Sequence, residues 1–363
     1  MNILVWSSSV AHPVGGQERT SLELALQLHQ RNHRVVLVGA YDNAPELRAR
    51  IPADMPYHFF DLHRPRFKPQ LAAARLLWRL TQEHQIQIVS AHGNVFALFE
   101  ICRRRRIPMV WTIHGTSRVE PQGWVYRIKR AAVARMLAHP LCHIVGVSRA
   151  TAETTARRFP EMDPAKAHAI LTGGMDDASL LQLPLPQPGP PWHLGFIGRV
   201  VPQKQPLHLL AVADALRGAL DFRLHIFGDG PLLAELRQGA DDRFQFHGYW
   251  DKGAAGMIQQ LHLLVHPAAE EPLGLVMIEA QLGARPVVAY RVDGIPETVV
   301  HGRTGYLAPP GDTAALAEGI RQVTGPQFTQ FSAAAREHAA ARFTLARMAA
   351  EYEALFQQLC ASH

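Results

Sequence analysis

Two glutamates, Glu271 and Glu279, have seven residues between them, most of which are apolar. The apolar run predicts a buried helix that begins near Gly274, which places Glu279 about 7 Å along the helix axis. A buried carboxylate is costly unless a donor such as a sugar or ribose hydroxyl satisfies it. At the start of such a helix, the free N–H groups of Gly274, Leu275 and Val276 favour a phosphate. Judged alone, the motif also fits an exposed Glu271 and a salt-bridged Glu279.

Two fixed positive charges, Arg199 and Lys204, follow a predicted strand at residues 194–197. Ligands of open α/β sheets lie beyond the carboxyl ends of the strands, so this loop is in the right place to meet one. A guanidinium and an ammonium group together suit a diphosphate. The spacing fits two solvated surface charges equally well.

The first half of the chain holds two further candidates. Gly15 and Gly16 let the backbone approach a ligand closely, and Glu18 favours a helix N-terminus just after them. His114 directly follows a predicted strand, so its ring is expected at the ligand-facing edge of the sheet. The plain alternatives are an ordinary turn and a histidine bonded to backbone.

Nothing in the sequence demands a nicotinamide cofactor or a metal ion. Gly228-Asp229-Gly230 begins like a dinucleotide fingerprint, but Leu233 stands where the third glycine belongs. The sequence has no Asp-x-Asp, no Cys-x-x-Cys and no clustered histidine ligands, so we expect no metal site.

Strands and helices alternate along the chain, which predicts parallel sheets in an α/β protein. The expected strands of a first domain are residues 3–6, 34–38, 57–60, 86–90, 109–113 and 144–147. Those of a second domain are residues 194–197, 222–227, 244–247, 263–265 and 286–289. Each set resembles a Rossmann-like domain.

Proline density sets the predicted domain boundary. Residues 182–192 carry five prolines, which neither a helix interior nor a central strand tolerates. We therefore predict a first domain at residues 1–181, a linker at 182–192 and a second domain at 193–343. The apolar spacing after Thr344 predicts a C-terminal helix at 344–360 that packs back on the first domain.

Composition limits the class of protein. The chain has 363 residues, of which 47% are hydrophobic and 19% charged, so it can bury large cores and is neither disordered nor fibrous. Three cysteines without paired spacing, and an N-terminus without a signal-peptide core, favour a reducing cytoplasm. No apolar run approaches the ~20 residues that a membrane-spanning helix needs.

Charge is distributed unevenly: residues 1–175 carry a formal net charge of +11, whereas the remainder carries −5. A basic half indicates an anionic partner, such as nucleic acid, an anionic membrane surface or a phosphorylated acceptor. The acidic second half and the lack of a recognition module argue against nucleic acid. Residues 118–137 predict a helix with an apolar stripe among basic and aromatic residues, which fits either an interfacial helix or packing on its own domain.

Several motifs follow one another in an order that resembles a known family. They are Gly15-Gly16-Gln17-Glu18, His114, Gly146-Val147-Ser148, Gly198-Arg199 with Lys204, Phe227-Gly228-Asp229-Gly230-Pro231, the Glu271 and Glu279 pair, and His301-Gly302-Arg303-Thr304-Gly305-Tyr306-Leu307. Together they resemble the retaining glycosyltransferases of family 4. This resemblance implies the GT-B fold, in which two Rossmann-like domains face each other across a cleft.

The resemblance also implies the donor and the residues that bind it. The donor would be a nucleotide-diphosphate sugar, UDP- or GDP-linked, with its diphosphate on Arg199 and Lys204, its ribose on Glu279 and its sugar hydroxyls on Glu271. His114 would reach the transferred sugar. The candidate catalytic residues are His114, Arg199, Lys204 and Glu271. The candidate donor-binding residues are Gly15, Gly16, Arg199, Lys204, Gly228, Glu271, Gly274, Leu275, Val276 and Glu279.

Family members transfer the sugar with retained anomeric configuration and without a required metal ion, so we expect the same here, with no bound cofactor. Positive charge at Arg199 and Lys204 would stabilise the departing diphosphate. Front-face attack by the acceptor hydroxyl is expected, because no carboxylate is clearly placed as a nucleophile. Leu273, where the family commonly has phenylalanine, leaves the sugar and the nucleotide open.

The expected acceptor is a lipid-linked glycan or an intermediate of lipopolysaccharide or another cell-surface polysaccharide. The enzyme would then be cytoplasmic and peripheral on the inner face of the cell membrane, where its basic first domain meets anionic lipid. The alternatives are a GT-B-fold sugar-nucleotide epimerase and a transferase that acts on a small soluble acceptor.

Overall fold

The computed structural model describes residues 1–7, 15–60, 69–93, 95–115, 123–174, 177–250 and 253–362. It divides into two compact units. The first unit is Met1–Thr172 together with Leu345–His363, and the second unit is Gly173–Thr344. Residues 118–122 of the predicted interfacial helix lie outside the described residues.

The strands of the two units all pair in parallel. They are β1 (Asn2–Ser7), β2 (Arg34–Gly39), β3 (Tyr57–Phe59), β4 (Ile88–His92), β5 (Met109–Ile113), β6 (Cys142–Gly146), β7 (Ala167–Ala169), β8 (Trp192–Ile197), β9 (Phe222–Phe227), β10 (Phe244–Gly248), β11 (Leu263–His266), β12 (Val287–Tyr290) and β13 (Gly305–Ala308). The central strands are apolar and buried on both faces, as parallel strands covered by helices must be.

Helices connect these strands. They are α1 (Gly16–Gln30), α2 (Pro45–Arg48), α3 (Pro69–Glu83), α4 (Phe96–Arg105), α5 (Trp124–Ala138), α6 (Arg149–Arg158), α7 (Asp177–Leu181), α8 (His208–Ala215), α9 (Leu233–Gly239), α10 (Ala254–Ile258), α11 (Leu275–Leu282), α12 (Ile295–Thr298), α13 (Thr313–Val323), α14 (Phe328–Arg342) and α15 (Leu345–Ala361). Within the described part of the chain, no helix is both long and apolar enough to cross a bilayer.

The strand order of each sheet locates the place where a ligand is expected. In the first unit the order is β3-β2-β1-β4-β5-β6-β7, and in the second unit it is β10-β9-β8-β11-β12-β13. The order reverses between β1 and β4 in the first sheet and between β8 and β11 in the second. Ligands of doubly wound folds bind outside the carboxyl ends of the strands at such a reversal.

The C-terminal helix α15 belongs to the first unit and contacts α1. Its apolar face, which includes Met348 and Phe356, is buried. The hydroxyl of Tyr352 lies 3.0 Å from Thr112 Oγ1 on β5, and Glu353 pairs with Arg31 at 2.6 Å. These contacts tie the end of the chain to the unit formed by its beginning.

The proline-rich segment 182–192 is held within the second unit. Arg285 Nη1 donates to the carbonyl of Pro184 at 3.0 Å, and Arg336 Nη2 donates to that of Leu183 at 2.5 Å. The division of the chain at Thr172 therefore falls earlier than the predicted boundary at 181. Prolines prevent helix and ladder formation, but an extended chain still presents carbonyls to arginine side chains.

Candidate functional site

The Gly15-Gly16 turn opens helix α1 of the first unit. The N–H of Gly15 donates to Glu18 Oε2 at 3.1 Å, which is the half of a capping box that a glycine can form. A Cβ on Gly15 would lie only 2.9 Å from that same carboxylate oxygen. Gly16 is exposed as the first residue of the helix. Glu18 thus occupies the N–H of Gly15, and the exposed Gly16 provides the open backbone at this helix N-terminus that an anion needs.

His114 follows β5 and is bonded to a second histidine that the sequence analysis missed. His114 Nε2 lies 2.9 Å from Nδ1 of His92, the last residue of β4. His92 is fully buried, and its Nε2 lies 3.4 Å from Ser90 Oγ. Burial lowers the pKa of His114 to about 4. Burial, and then the proximity of His114, also lower the pKa of His92 well below its usual value, so both rings are neutral at neutral pH.

In the second unit, Lys204 and Glu271 form an ion pair. Lys204 ends a short 3-10 turn after β8, and its Nζ donates to Glu271 Oε2 at 2.5 Å. The N–H of Ala269 donates to the carbonyl of Gln203 at 3.0 Å, which joins the loop after β8 to the loop after β11. Two residues that are far apart in sequence therefore meet at the reversal point of this sheet.

Glu271 is buried and receives a second donor, His266 Nε2, at 2.8 Å on the same oxygen. Burial alone raises the pKa of this carboxyl, but the hydrogen bond from His266 and the charge of Lys204 outweigh burial and lower the pKa to about 2. Glu271 is therefore an anion at neutral pH. It is buried, so the alternative interpretation of an exposed Glu271 is wrong. Among the described residues, no donor contacts its Oε1, which leaves that oxygen available to a ligand.

His266, the last residue of β11, is a supporting residue that the sequence analysis also missed. It is fully buried, and its Nδ1 has no hydrogen-bond partner in the described chain. Burial lowers the pKa of this ring, although the hydrogen bond to Glu271 opposes the effect. A neutral ring that donates Nε2–H to Glu271 and keeps Nδ1 unprotonated fits both observations.

Helix α11 starts at Leu275, as predicted, with Gly274 as its N-cap in the left-handed region at φ +89°. The N–H groups of Gly274, Leu275 and Val276 have no acceptor among the described residues. A Cβ on Gly274 would lie 3.3 Å from Glu271 Cγ, so the open helix end is adjacent to the Glu271 side chain. Glu279 is buried one turn further along the helix.

Gly228 permits close packing of two loops. Its φ is +139°, and a Cβ there would lie 1.9 Å from the carbonyl oxygen of Gly198. The loop after β9 therefore presses against the loop that carries Arg199. Arg199 itself is exposed and makes no ion pair with any residue in the described ranges.

The predicted site residues of the second unit thus form one group. In the second unit, the structure brings Lys204, Glu271 and the start of α11 together, with Arg199 and Gly228 on the neighbouring loops. In the first unit, the Gly15-Gly16 turn follows β1 and His114 follows β5. Within the described ranges, no group of three or more histidine, cysteine, aspartate or glutamate side chains is arranged to hold a metal ion.

Comparisons with known proteins identify the class of protein to which the chain belongs. Residues 14–173 match the model of Glycosyltransferase Family 4, and residues 191–325 match that of Glycosyl transferases group 1. A 2-deoxystreptamine glucosyltransferase of Streptomyces kanamyceticus is 29% identical over 271 residues, which cover 68% of this chain and 70% of that protein.

Two solved structures share the fold over the whole chain. A glycosyltransferase from Rickettsia africae ESF-5 superposes with a TM-score of 0.80 at 17% identity, over 99% of this chain and 98% of that one. Anabaena Alr3699/HepE in complex with UDP and glucose gives 0.76 at 18% identity, over 99% and 100% of the two chains. The fold is therefore GT-B, and the protein is a glycosyltransferase that uses a nucleotide sugar. Within that class the chain belongs to family 4, which confirms the predicted fold and family.

Proposed function

We propose that this enzyme transfers a hexose from a nucleotide-diphosphate sugar to a hydroxyl of a membrane-associated glycan, with retention of anomeric configuration. The observation that carries the proposal is the Lys204–Glu271 pair beside the N–H groups of Gly274, Leu275 and Val276, which have no acceptor in the described chain. A cation, an anion and a helix N-terminus in one place suit a ligand that has both phosphates and hydroxyls.

The second unit binds the donor in this proposal. Lys204 and Arg199 contact the diphosphate, together with the backbone at the start of α11. Oε1 of Glu271 accepts a hydroxyl of the sugar, and Glu279 accepts the ribose hydroxyls. The glycines at 228 and 198 let the two loops close around the nucleotide. From the first unit, Gly16 contributes its backbone N–H to the phosphates, Gly15 leaves room for their approach, and His114 contacts the transferred sugar.

The reaction needs no metal ion or other cofactor in this scheme. Negative charge develops on the departing diphosphate as the glycosidic bond breaks, and the fixed charges of Lys204 and Arg199 stabilise it in place. The acceptor hydroxyl attacks from the face that the diphosphate leaves, which retains the configuration. UDP-sugars are the first donors to test, since HepE holds UDP, and GDP-sugars are the second.

The acceptor in this proposal is a lipid-linked glycan or a lipopolysaccharide or cell-surface polysaccharide intermediate at the cytoplasmic face of the membrane. Helix α5 supports this assignment. Trp124, Val125 and Ile128 are 73%, 46% and 61% exposed, whereas Met136 at the far end of the predicted stripe is buried. The stripe thus packs on its own unit at one end and is open at the other, next to the exposed Arg127 and Lys129.

The donor is identified by a panel of nucleotide sugars, since a ligand that binds only the native state raises the melting temperature. The stabilising donor is then incubated with and without acceptor. Transfer of labelled sugar to acceptor supports the proposal, whereas isomerisation of the donor without any acceptor identifies an epimerase. Transfer to a small soluble sugar alone overturns the membrane acceptor.

Substitution of two donor-binding residues tests the site. We expect Lys204→Ala to lower kcat/KM by a factor of about 100 or more, as removal of one charge-stabilising group typically does. Glu279→Ala should lower kcat/KM by about tenfold or more, because the ribose hydroxyls lose a hydrogen bond to a charged group worth about 1.5–3 kcal/mol. Arg217→Ala, which removes an exposed arginine of the same unit paired with Asp214, is the control. Near-normal turnover in either site variant contradicts the assignment.

A further inference from the structure

Three side chains of the first unit form a hydrogen-bonded line that ends at His114. Ser90 and His92 alternate along β4, so both side chains point to the same face of the sheet. Ser90 Oγ lies 3.4 Å from His92 Nε2, and His92 Nδ1 lies 2.9 Å from His114 Nε2. The two rings have their centroids 5.2 Å apart at an interplanar angle of 39°. Ser90 and His92 are both fully buried.

The hydroxyl proton of Ser90 determines which atom donates in each of the two hydrogen bonds of this line. Within the described chain, His92 Nε2 is the only hydrogen-bond partner of Ser90 Oγ. If His92 carried its proton on Nε2, the Ser90 hydroxyl proton would be buried without an acceptor, which is costly. The satisfied arrangement has Ser90 donating to Nε2, so that the proton of His92 lies on Nδ1. His92 then donates to His114 Nε2, and His114 must carry its own proton on Nδ1.

We infer that Ser90 and His92 are positioning residues that hold His114 in the Nδ1–H tautomer, so that it presents a hydrogen-bond donor to the substrate. The inference deepens the proposed function and rests on it for the identity of that substrate. His114 Nδ1 has no partner among the described residues, which leaves this N–H for a ligand.

The tautomer limits what His114 does in the reaction. A neutral imidazole protonated at Nδ1 cannot accept a proton there, so His114 does not act as a general base through this atom. It donates instead to an oxygen lone pair, either on a hydroxyl of the transferred sugar or on the departing phosphate. Its contribution is then a fixed dipole, in the manner of an oxyanion-hole donor.

The tautomer is measured directly by 15N NMR of histidine-labelled, full-length enzyme without donor. The His114 signals are assigned by their loss in His114→Gln. We expect the shift of a protonated nitrogen at Nδ1 and that of an unprotonated nitrogen at Nε2. The opposite pattern in the wild type overturns the inference. Because this readout needs neither substrate nor turnover, it stands or falls separately from the proposed function.

Ser90→Ala removes the proton that orients the line while leaving both histidines in place. We expect the His114 signals to move towards the average of two tautomers, and kcat to fall by about tenfold, as loss of such supporting hydrogen bonds does elsewhere. Ser332→Ala, which removes a fully buried serine hydroxyl in the second unit, is the control for loss of a core hydroxyl. An unchanged His114 spectrum in Ser90→Ala contradicts the inference, whatever the activity.

Replacement of His92 separates positioning from packing. His92→Asn keeps an N–H group near the position of Nδ1, whereas His92→Leu fills the space without a donor. We expect kcat to fall by about 100-fold in His92→Leu and by about tenfold in His92→Asn, with the donor KM changed less than kcat in both. Equal losses in the two variants, with the wild-type His114 spectrum retained in His92→Leu, show a purely structural role and overturn the inference.

Discussion

At the residue scale, Lys204 and Glu271 each have two possible partners. They are paired with each other in the structure, and the proposed donor offers a diphosphate to the lysine and a hydroxyl to the glutamate. If Lys204 turns to the diphosphate, Glu271 keeps the hydrogen bond from His266. A buried anion that lost all its donors would be strongly destabilised, so His266 makes the exchange of partners possible.

Glu271 makes the free energy of unfolding depend on pH in the acid range. Its pKa is lowered from 4.5 to about 2 on folding, so its contribution to stability is complete above about pH 4.5 and is lost as the pH falls towards 2. The contribution is about 3 kcal/mol at neutral pH. We expect the free energy of unfolding of Glu271→Gln to lie below that of the wild type at pH 7 and to approach it between pH 4.5 and pH 2.

Urea denaturation of both proteins across that pH range measures the difference, in which the other carboxylates cancel. Glu337→Gln, at an exposed carboxylate of the same unit, is the control. A difference between Glu271→Gln and wild type that stays constant from pH 7 to pH 2 would contradict the ionised, paired state of Glu271.

At the element scale, two site residues were missed from sequence because the predicted strands β4 and β11 ended too early. The apolar pattern placed β4 at residues 86–90 and ended β11 at residue 265, whereas the strands continue to His92 and His266. Apolar periodicity ends where polar side chains begin, so a buried polar residue at a strand end is read as loop. Parallel pairing with the neighbouring strands extends the ladder past that point.

A ladder of three histidines crosses the strands β8, β9 and β10 of the second unit. His193 Nδ1 lies 2.8 Å from His225 Nε2, and His225 Nδ1 lies 3.0 Å from His247 Nε2. Burial, and then the neighbouring His193, His247 and His262, lower the pKa of His225 to about 4. Arg223 also lowers the pKa of His193, after burial. The folded ladder therefore stays neutral at pH values where an unfolded histidine is protonated.

Neutral burial of His225 predicts loss of stability in mild acid. The unfolded state binds a proton below about pH 6.5 and the folded state only near pH 4, so the stability contributed above pH 6.5 falls as the pH drops through this window. The loss is about 3 kcal/mol. We expect His225→Phe to lose less stability than wild type between pH 7 and pH 4.5 in urea denaturation. His29→Phe, in the first unit and outside the ladder, is the control, and identical pH profiles for His225→Phe and wild type refute the prediction.

Because the loops after β8 and β9 approach each other closely, replacement of Gly228 by alanine should cost more stability than replacement of Gly218. Gly228→Ala adds a Cβ 1.9 Å from a backbone oxygen, whereas Gly218→Ala, at φ +74°, adds one in open space. We expect Gly218→Ala to cost about 1 kcal/mol for its backbone conformation. Gly228→Ala should cost about 3 kcal/mol or more, since backbone cannot rotate away, and should weaken the melting-temperature shift caused by donor. Equal costs in denaturation would refute the close-packing argument.

At the scale of the whole molecule, the alternating strands and helices could be predicted from sequence, whereas the contacts between residues far apart in the chain could not. Two rounds of strand and helix alternation are local signals, and they predicted both parallel sheets except for the edge strands β7 and β13. Lys204 and Glu271 are 67 residues apart in sequence, and Arg285 and Pro184 are 101 residues apart, so no local sequence pattern predicts their contacts. The same limit applies to the proline segment, whose composition excludes regular structure but does not specify which unit holds it.

The uneven charge of the chain supports one prediction for the first unit. Its net positive charge and the exposed apolar start of α5 together suit an anionic lipid surface, where each alone would bind weakly. We expect the protein to sediment with vesicles that contain phosphatidylglycerol and not with phosphatidylcholine alone. Binding should weaken as salt is raised from 0.01 to 0.15 M, because the Debye length falls from about 30 to about 8 Å.

Two variants separate the apolar from the electrostatic part of this binding. Trp124→Ser with Ile128→Ser should weaken vesicle affinity by about 100-fold or more, since each side chain loses burial worth about 1.5–3 kcal/mol, and should leave the salt dependence intact. Arg127→Glu with Lys129→Glu should reduce the salt dependence instead. Tyr249→Ser, which removes an exposed aromatic residue of the second unit, is the matched control. If Tyr249→Ser weakens binding as much as the α5 variant, α5 is not the docking surface. If wild type shows no preference for anionic vesicles at low salt, the predicted attraction of the first unit to anionic lipid is wrong.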